Sequence, residues 1–305
     1  MKDIELFVII VTYNAMPWIK KCLDSVLEST VKSEIIIVDN CSTDETVSFI
    51  DSQYNGVTIL KQSKNFGFGC ANNIGISFAL KKSAKYIYLL NQDAWVKSDT
   101  FDILINQVTA NKNFGIVSPM QLNRAEDKLD KNFSYYCSPN LCYGFLDDLF
   151  FDRIKTIYKT TFVNAAHWLI TRECIMTVGG FSPSFYHYGE DHNYIDRLHF
   201  HGFDVGICTS AIAIHDREDR SNSTNGHAKQ QYRRIVEKLS RISNKEKTSM
   251  IIALAIFLII KNSLTIFIYK TAIPLYYSIK ISINLPKILK NRNLTKIKGP
   301  AFLNF

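Results

Sequence analysis

The sequence predicts an α/β fold in which a Rossmann-like, mostly parallel sheet is flanked by helices. Three observations support this prediction. Apolar, β-branched runs alternate with helix-patterned segments over roughly the first 90 residues, polar side chains follow each run, and an apolar, lysine-containing tail comes last. Strand–helix–strand units with short connections cross over right-handedly and place their strands in one parallel sheet.

The individual elements follow from composition. Short apolar runs typical of buried strands occupy residues 6–11, 35–38, 57–60 and 86–90. Pro17 suits the first turn of a helix, Ser42 or Thr43 is placed to cap the next, and a third helix is expected over 71–82. Later we expect a helix over 99–110, a strand over 116–119 and a helix from near Glu190. The aromatic, acidic segment 135–152 is predicted to be a long loop or lid.

Charge is distributed unevenly along the 305 residues. The net charge is +8, but eleven basic residues and one acid after residue 240 give that part +10 and leave −2 for the rest. A near-neutral body with a basic tail argues against a nucleic-acid-binding protein. Seven cysteines, an odd number with no C-x-x-C pair, indicate a reducing compartment. The short first apolar run lacks a cleavage site, so no signal peptide is expected.

Polar side chains follow all four predicted strands. They are Thr12, Tyr13 and Asn14, then Asp39 and Asn40, then Asn65, and finally Asn91, Gln92 and Asp93. Each group taken alone is also typical of a turn. Because the carboxyl ends of parallel strands meet at one edge of an open sheet, where ligands bind, we expect these side chains to converge on one crevice.

Six segments, in order, resemble the motif series of glycosyltransferase family 2, and most of all its bacterial rhamnosyltransferase-like branch. They are VIIVTYN, IIIVDNCSTDET, KNFGFGCANNIGI, LLNQDA, VGGFSPSFYHYGEDHNYIDRL and AIAIHD, and they span roughly residues 5–220. The resemblance implies a GT-A fold, a nucleotide-sugar donor, a divalent metal and inversion at the anomeric carbon.

By this resemblance, the donor site lies at the first three strand ends. Asp39 would accept from a pyrimidine N3–H, with Thr12 and Asn14 in the same pocket; the alternative is a capping duty, for which Asp44 is better placed. Gly67-Phe-Gly69 is not a dinucleotide fingerprint, because Asn72 stands where a third glycine is needed. The further donor-site residues are Tyr13, Asn40, Asn65, Gly67, Asn72, Asn91 and Gln92. For the glycine loop, a simple helix-entry turn remains the alternative.

The metal site is assigned to Asp93. A hard cation with oxygen ligands, Mg²⁺ or Mn²⁺, neutralises a departing diphosphate. The family often has Asp-x-Asp here, whereas this chain has Asn91 at the first position, which leaves fewer charges for the metal. His215 is similar to a downstream family histidine that joins the metal; a structural histidine is the alternative.

Catalysis is assigned to Asp191, and its neighbour Glu190 is assigned, with Trp168 and Arg197, to contacts with the acceptor or to orienting the base. The resemblance makes Asp191 the base that takes the proton of the acceptor hydroxyl, while two helix N-terminal acids without chemistry are the alternative. Arg197 would orient Asp191 or pair with Glu190 on the surface. Trp168 would pack against the sugar or acceptor, or else belong to the core.

The tail, residues 249–289, is apolar but interrupted by Lys261, Lys270, Pro274 and Lys280. Its uninterrupted run of eleven residues, 250–260, is short of the roughly 20 needed to span a bilayer. We expect helices lying on an anionic membrane surface, with lysines reaching the headgroups. The alternatives are a helical pair packed on the catalytic domain, a homo-oligomer contact, or a transmembrane hairpin.

These observations predict a catalytic domain over 1–240, with a nucleotide-binding half (1–119) and an acceptor half (120–240), and a membrane-associating tail over 241–305. The expected activity is inverting transfer, at the cytoplasmic face of the inner membrane, from a pyrimidine nucleotide-sugar, best dTDP-L-rhamnose, to a lipid-linked or growing surface polysaccharide. The alternatives are UDP-galactofuranose or a UDP-hexose as donor, and a silent nucleotide-sugar- or glycan-binding protein. A nicotinamide dehydrogenase is disfavoured by the missing fingerprint.

Overall fold

The computed structural model describes residues 5–217, 226–242, 248–264 and 273–305. Within these ranges the strands form one mixed sheet in the order β3-β2-β1-β4-β8-β6-β9-β5, with β7 paired to β9. The strands are β1 (Leu6–Thr12), β2 (Ser33–Asp39), β3 (Thr58–Lys61), β4 (Tyr86–Asn91), β5 (Ala94–Val96), β6 (Phe114–Leu122), β7 (Ile157–Thr160), β8 (His167–Thr171) and β9 (Asp204–His215).

Helices cover both faces of this sheet and continue into the tail. They are α1 (Ile19–Leu27), α2 (Thr46–Gln53), α3 (Phe68–Lys81), α4 (Thr100–Ala110), α5 (Lys131–Tyr136), α6 (Phe145–Phe150), α7 (Arg172–Val178), α8 (Glu190–Phe200), α9 (Gly226–Ser240), α10 (Thr248–Leu264) and α11 (Ile273–Leu294). The predicted α/β class with a tail of helices is confirmed.

The register of the sheet aligns the ends of the first strands. β1, β2, β3 and β4 are mutually parallel, with Thr12 opposite Asp39 and Val11 opposite Asn91. The later half adds antiparallel pairs, among them β5 with β9, in which Ala94 lies opposite His215. The polar clusters that follow the strands are therefore brought to one edge of the sheet.

Two apolar layers enclose the sheet, as period-2 alternation requires. Phe7 and Ile9 of β1 face the cluster that also contains residues of α3, α7 and α8. Leu6, Val8 and Ile10 face the opposite cluster, built with α1, α2 and α4. Strands buried on both faces explain why the sequence shows continuous apolar runs instead of alternation.

Two local predictions were wrong. Segment 135–152 is not a plain loop, because it contains the end of α5 and all of α6, and its Phe145 is buried in the core. Neither Ser42 nor Thr43 caps α2. Asp44 makes the local contacts instead, its Oδ1 accepting from Thr46 N at 3.1 Å and from Thr46 Oγ1 at 2.6 Å. The capping duty proposed as an alternative for Asp39 thus belongs to Asp44.

The tail helices pack on one another and on the loop before α8. Ile235 and Leu239 of α9, Ile251 of α10 and Ile281 of α11 form a cluster with Phe185. Within the described residues, no helix combines the length and the apolar character that crossing a bilayer requires. Lys270 lies outside the described residues, and nothing tests the boundary at residue 240, which stays a prediction.

The last residues return to the catalytic part of the chain. Gly180 N donates to Ala301 O at 2.8 Å, and Gly299 N donates to Thr177 O at 2.9 Å. Asn304 N donates to Ser77 Oγ at 3.1 Å. The turn after α7 and helix α3 are thereby joined to the segment that follows α11.

Candidate active site

Asp39 is held at the end of β2 by three donors. Its Oδ1 accepts from Thr12 Oγ1 at 3.0 Å and from Ser42 Oγ at 2.5 Å, and its Oδ2 accepts from Ser42 N at 3.0 Å. The carboxylate is almost fully buried. Since a carboxylate has about four acceptor positions, Oδ2 keeps capacity for one further donor. Thr12 thus contacts Asp39 as predicted, and Ser42 is a partner that sequence reasoning missed.

The backbone after β1 is fixed by side chains from neighbouring strand ends. Tyr13 N donates to Gln92 Oε1 at 2.7 Å, and Gln92 Nε2 donates to Tyr13 O at 3.2 Å. Asn14 has φ +51° and accepts from Thr43 N through Oδ1 at 2.8 Å. The first, second and fourth strand ends are thus physically connected.

A second amide network orders the glycine loop. Asn40 Nδ2 donates to Asn65 Oδ1 at 2.8 Å, and Asn40 Oδ1 accepts from Phe66 N at 2.8 Å. At Gly67, φ is +82° and an added Cβ would collide with Tyr186 O at 1.9 Å, so only glycine fits. The prediction that Asn72 belongs to the donor site was wrong. Asn72 is buried and donates through Nδ2 to Phe68 O of its own helix, 3.0 Å away. It does not line an open site.

Asp93 and His215 meet where β5 pairs with β9. Asp93 Oδ1 lies 3.5 Å from His215 Nε2, and both side chains are almost fully buried. Asn91 Oδ1, two residues before Asp93, is buried with no hydrogen-bond partner among the described residues. No group of three or more His, Cys, Asp or Glu able to hold a metal occurs in the described part of the chain. Where β5 pairs with β9, the protein offers a carboxylate and an imidazole.

This donor set fits a divalent cation that keeps several ligands from phosphate and water. The carboxylate suits Mg²⁺ or Mn²⁺. For His215 to bind a cation through Nε2, its proton must sit on Nδ1, which now accepts from Arg217 Nε at 3.3 Å. Arg217 Nε also lies 3.4 Å from Asp130 Oδ2, so Arg217 has a second partner available.

His167, to which the sequence gave no role, lies directly behind this pair. Its Nε2 contacts Ile214 O at 3.1 Å and its Nδ1 contacts the Tyr88 hydroxyl at 2.9 Å. Because a carbonyl only accepts, the Nε2 position carries the proton and Tyr88 donates to Nδ1. Burial, together with the nearby His215, lowers the pKa of His167 to about 3. A neutral His167 therefore fixes the strand that ends at His215 without adding charge.

Asp191 lies in the first turn of α8, as predicted, and is half-buried. Its Oδ1 accepts from His192 N at 2.8 Å. Burial raises the pKa of Asp191 above its ordinary value, against the opposing charges of His192 and Arg217. Arg217 therefore acts electrostatically on Asp191 and also contacts His215, so it lies between the predicted base and a predicted metal ligand. Sequence reasoning missed it, although it stands only two residues after His215.

Glu190 is 5% exposed, and its Oε2 has no hydrogen-bond partner among the described residues. Burial, with Asp191 alongside, raises the pKa of Glu190 to about 8. Its carboxyl is therefore largely protonated at neutral pH. The predicted alternative in which Arg197 pairs with Glu190 on the surface is wrong, because Glu190 is buried.

Glu190→Gln is expected to change how stability depends on pH. With a folded pKa of about 8 against an ordinary 4.5, wild-type Glu190 stabilises the fold fully below pH 4.5 and loses that contribution as pH rises to about 8. Gln mimics the protonated form, so the variant should gain stability relative to wild type across this window, by about 1.4 kcal/mol per pH unit at most. Urea unfolding at several pH values measures it. Exposed Glu173→Gln is the control, and parallel curves for wild type and Glu190→Gln would contradict it.

The predicted acceptor contact of Trp168 and the predicted orienting role of Arg197 were both wrong. Trp168 is fully buried and stacks on Phe181 with ring centroids 6.0 Å apart, so it belongs to the core and cannot reach an acceptor. Arg197 is also fully buried; it donates to Val178 O at 2.8 Å and to Gly180 O at 2.7 Å. It orients neither Asp191 nor Glu190. Instead, it joins α8 to the end of α7.

Replacing Arg197 by Met is expected to lower the free energy of unfolding by about 3 kcal/mol, because two buried carbonyls lose charge-assisted donors. Burial lowers the pKa of Arg197 to about 10, so the side chain is charged at neutral pH. Chemical denaturation followed by circular dichroism measures the change. Arg234→Met, at an exposed side chain of α9, is the control and should shift stability by less than about 0.5 kcal/mol. Equal effects of the two substitutions would refute the structural role of Arg197.

Two solved structures share this architecture. S. aureus TarS 1–349 in complex with UDP superposes with a TM-score of 0.54 at 14% identity, covering 95% of this chain and 80% of that one. The mannosyltransferase PcManGT from Pyrobaculum calidifontis, in complex with GDP-Man and Mn²⁺, gives a TM-score of 0.54 at 17% identity, covering 95% and 73%. The fold is therefore that of the GT-A glycosyltransferases.

Residues 7–175 match the family model described as Glycosyl transferase family 2. That match covers more than half of the chain, which belongs to glycosyltransferase family 2. The family predicted from the motifs is confirmed.

Individual relatives are distant. The dTDP-rhamnosyl transferase RfbF of Shigella flexneri is 22% identical over 217 residues, 71% of each chain. Glycosyltransferase GlyA of Streptococcus pneumoniae is 28% identical over 109 residues, 35% of this chain. The matched segment is only 15% of GlyA and 11% of the chondroitin synthase of Pasteurella multocida, so the chain spans a small part of these larger relatives.

Proposed function

We propose that this chain is an inverting transferase that moves a sugar from a pyrimidine nucleotide-sugar to a hydroxyl of a lipid-linked or growing surface polysaccharide. One observation supports this most: Asp39, the Asp93–His215 pair and Asp191 collect around one end of the sheet, and Arg217 connects the last two. Such a transfer requires a buried hydrogen-bond acceptor for the nucleobase, a pair of metal ligands, and a carboxylate with a raised pKa that can take a proton.

On the donor side, the free capacity of Asp39 Oδ2 would accept the N3–H of uracil or thymine. A buried site built around an acceptor disfavours bases that lack the donor, because the carboxylate would be left unpaired. The best donor candidate is dTDP-L-rhamnose, which the similarity to the dTDP-rhamnosyl transferase RfbF supports. UDP-galactofuranose and a UDP-hexose are the alternatives.

Asp93 and His215 would hold Mg²⁺ or Mn²⁺. When bound, the cation neutralises charge that develops on the leaving diphosphate. PcManGT was solved with Mn²⁺, which supports a divalent ion in this fold. The chain itself contributes buried ligands, a neutral His167 behind them and Arg217 beside them.

Asp191 would act as the base. The acceptor oxygen attacks the anomeric carbon from the face opposite the diphosphate, the bond to the diphosphate breaks, and the hydroxyl proton passes to Asp191. The raised pKa of Asp191 makes it a better proton acceptor than an ordinary aspartate. The positive charge of Arg217 opposes that rise.

The tail is proposed to lie on the anionic cytoplasmic surface of the inner membrane. Large apolar side chains of α10 remain exposed, including Phe257 and Ile260, and lysines accompany them. Apolar contact combined with basic charge is typical of interfacial helices. A homo-oligomer formed through the same face is the alternative, which vesicle flotation and light scattering distinguish.

The first test is a thermal-shift panel of UDP, dTDP, GDP, CMP and NAD, with and without Mn²⁺, on wild type and Asp93→Ala. We expect stabilisation by UDP or dTDP that grows with Mn²⁺ and disappears in the variant. Turnover of the matching nucleotide-sugar then separates an enzyme from a silent binding protein. Stabilisation by NAD alone, or by no nucleotide, would overturn the proposed donor site.

A further inference from the structure

A pocket of about 250 Å³ lies between the loop before α8 and the helices α9 and α11. It is separate from the donor-site residues around Asp39 and Asp93, none of which line it. Its lining includes the polar side chains of Tyr188, Tyr232, Arg233, Tyr277, Lys280 and Lys287. We call it the basic pocket.

The basic pocket has a strong positive charge. Arg233, Lys280 and Lys287 line it, and no aspartate or glutamate among the described residues does. The nearby carboxyl of Glu190 offsets little of this charge at neutral pH, because its pKa is raised to about 8. Three cations around a small volume, with tyrosine hydroxyls as further donors, match a phosphate or diphosphate group.

Aromatic rings hold two of these cations in place. Arg233 Cζ lies 4.3 Å from the centroid of the Tyr188 ring, and Lys280 Nζ lies 5.2 Å from that of Tyr232. Contacts of this kind restrict long side chains before any ligand binds, which lowers the entropy lost on binding. The pocket is therefore partly preorganised for an anion.

An apolar stripe runs along α11 beside the basic pocket. Tyr276, Ile279 and Ile283 are 58%, 52% and 71% exposed, at the spacing that places them on one side of the helix. The pocket lysines 280 and 287 border the same stripe. A free inorganic anion would not use this surface, whereas a phosphate ester carried on a long apolar chain would contact both regions.

The basic pocket also adjoins Asp191, the proposed base. Tyr188 lines the pocket, and Asp191 follows three residues later in the first turn of α8. Arg233 is close enough to act on the carboxyl of Glu190. A ligand anchored here by its phosphate would present whatever is attached to that phosphate near Asp191.

We propose that the basic pocket binds the phosphate or diphosphate of an acceptor whose sugar is linked through it to an apolar chain lying along α11. This inference rests on the proposed transferase function and specifies its acceptor. It predicts that the attacking hydroxyl belongs to a sugar close to the lipid phosphate, since pocket and base are neighbours.

The test measures binding of farnesyl diphosphate by isothermal titration calorimetry in EDTA, so that no metal draws the diphosphate to Asp93. Lys280→Gln/Lys287→Gln is compared with wild type and with Lys238→Gln/Lys290→Gln. The control removes the same charge from exposed positions of α9 and α11 that do not line the pocket. Arg233→Gln, on a different helix, is a second pocket variant. Farnesol and inorganic diphosphate are the ligand controls.

We expect each pocket variant to weaken farnesyl diphosphate binding at least tenfold, the charge-matched control to change it less than twofold, and both ligand controls to bind more weakly. Equal losses in pocket and control variants, or none, would overturn the inference. So would loss of flotation with phosphatidylglycerol vesicles while farnesyl diphosphate binding is kept, because the pocket would then hold a membrane headgroup.

Binding of UDP or dTDP with Mn²⁺ is measured on the same samples. If wild type and both pocket variants bind nucleotide equally, and the pocket substitutions do not change farnesyl diphosphate binding, only the acceptor inference fails. If wild type binds no nucleotide, the proposed function itself fails.

Discussion

Asp191→Asn is expected to lower kcat by about 10²–10⁴-fold, the usual contribution of a positioned general base. Asparagine keeps the size of the side chain and can still accept from His192 N, as Asp191 Oδ1 does at 2.8 Å. It cannot take a proton from the acceptor hydroxyl. Binding of the nucleotide donor should stay within about twofold, because Asp191 lies in α8 and the donor contacts lie at the ends of β1, β2 and β4.

The pH profile separates a base from a structural acid at this position. Wild-type kcat should rise with pH as Asp191 ionises, at a pH above that of an ordinary aspartate because burial raises its pKa. The residual activity of Asp191→Asn should lack this rise. Asp196→Asn, the same change farther along α8, is the control and should leave kcat within about threefold. A variant at Asp191 that keeps a tenth or more of wild-type turnover would exclude it as the base.

Asp93→Asn is expected to reduce kcat/KM by at least about 100-fold, since a metal-bound carboxylate supports several kcal/mol of charge stabilisation at the leaving diphosphate. Asn91 already replaces the first acid of the usual pair, so Asp93 is the carboxylate on which this site depends. The loss should appear together with a weaker response to Mn²⁺, measured as the ion concentration that gives half-maximal turnover.

His215→Gln should cost less than Asp93→Asn, because it removes a neutral ligand and leaves the charge of Asp93. Asp102→Asn, at an exposed position of α4, is the matched control for loss of an acid and should leave the response to Mn²⁺ unchanged. Turnover that persists in EDTA and in Asp93→Asn alike would show that the cation is not needed.

The strands and their polar ends could be predicted from sequence because their signals are local. A continuous apolar run such as 86–90 identifies a buried strand, and the polar residues that follow it must lie at its carboxyl end. Thr12 and Asp39 were expected to lie close together because they end neighbouring parallel strands, and the structure places them opposite each other. The helix beginning at Glu190 was also visible, since acids favour the first turn.

The errors concern side chains whose roles depend on distant partners. Arg197 bonds to carbonyls 17 and 19 residues away, and no periodic pattern reports such contacts. Trp168 sits on a strand flanked by antiparallel neighbours, which bury it completely. His167 was missed because its role comes from a contact with Ile214, 47 residues away. Arg217 was missed because no sequence pattern shows that its side chain contacts His215.

The return of residues 299–304 to the turn after α7 has a mechanical consequence. Helices α9 to α11 are attached to the catalytic body at both ends, by the chain that follows β9 and by the hydrogen bonds of Gly180 and Ser77. A module fastened twice has little freedom to swing. Any surface that α10 and α11 rest on would therefore hold the candidate active site at one fixed height and tilt. The distance between the active site and its acceptor would then be set by this geometry and not by the motion of a flexible linker.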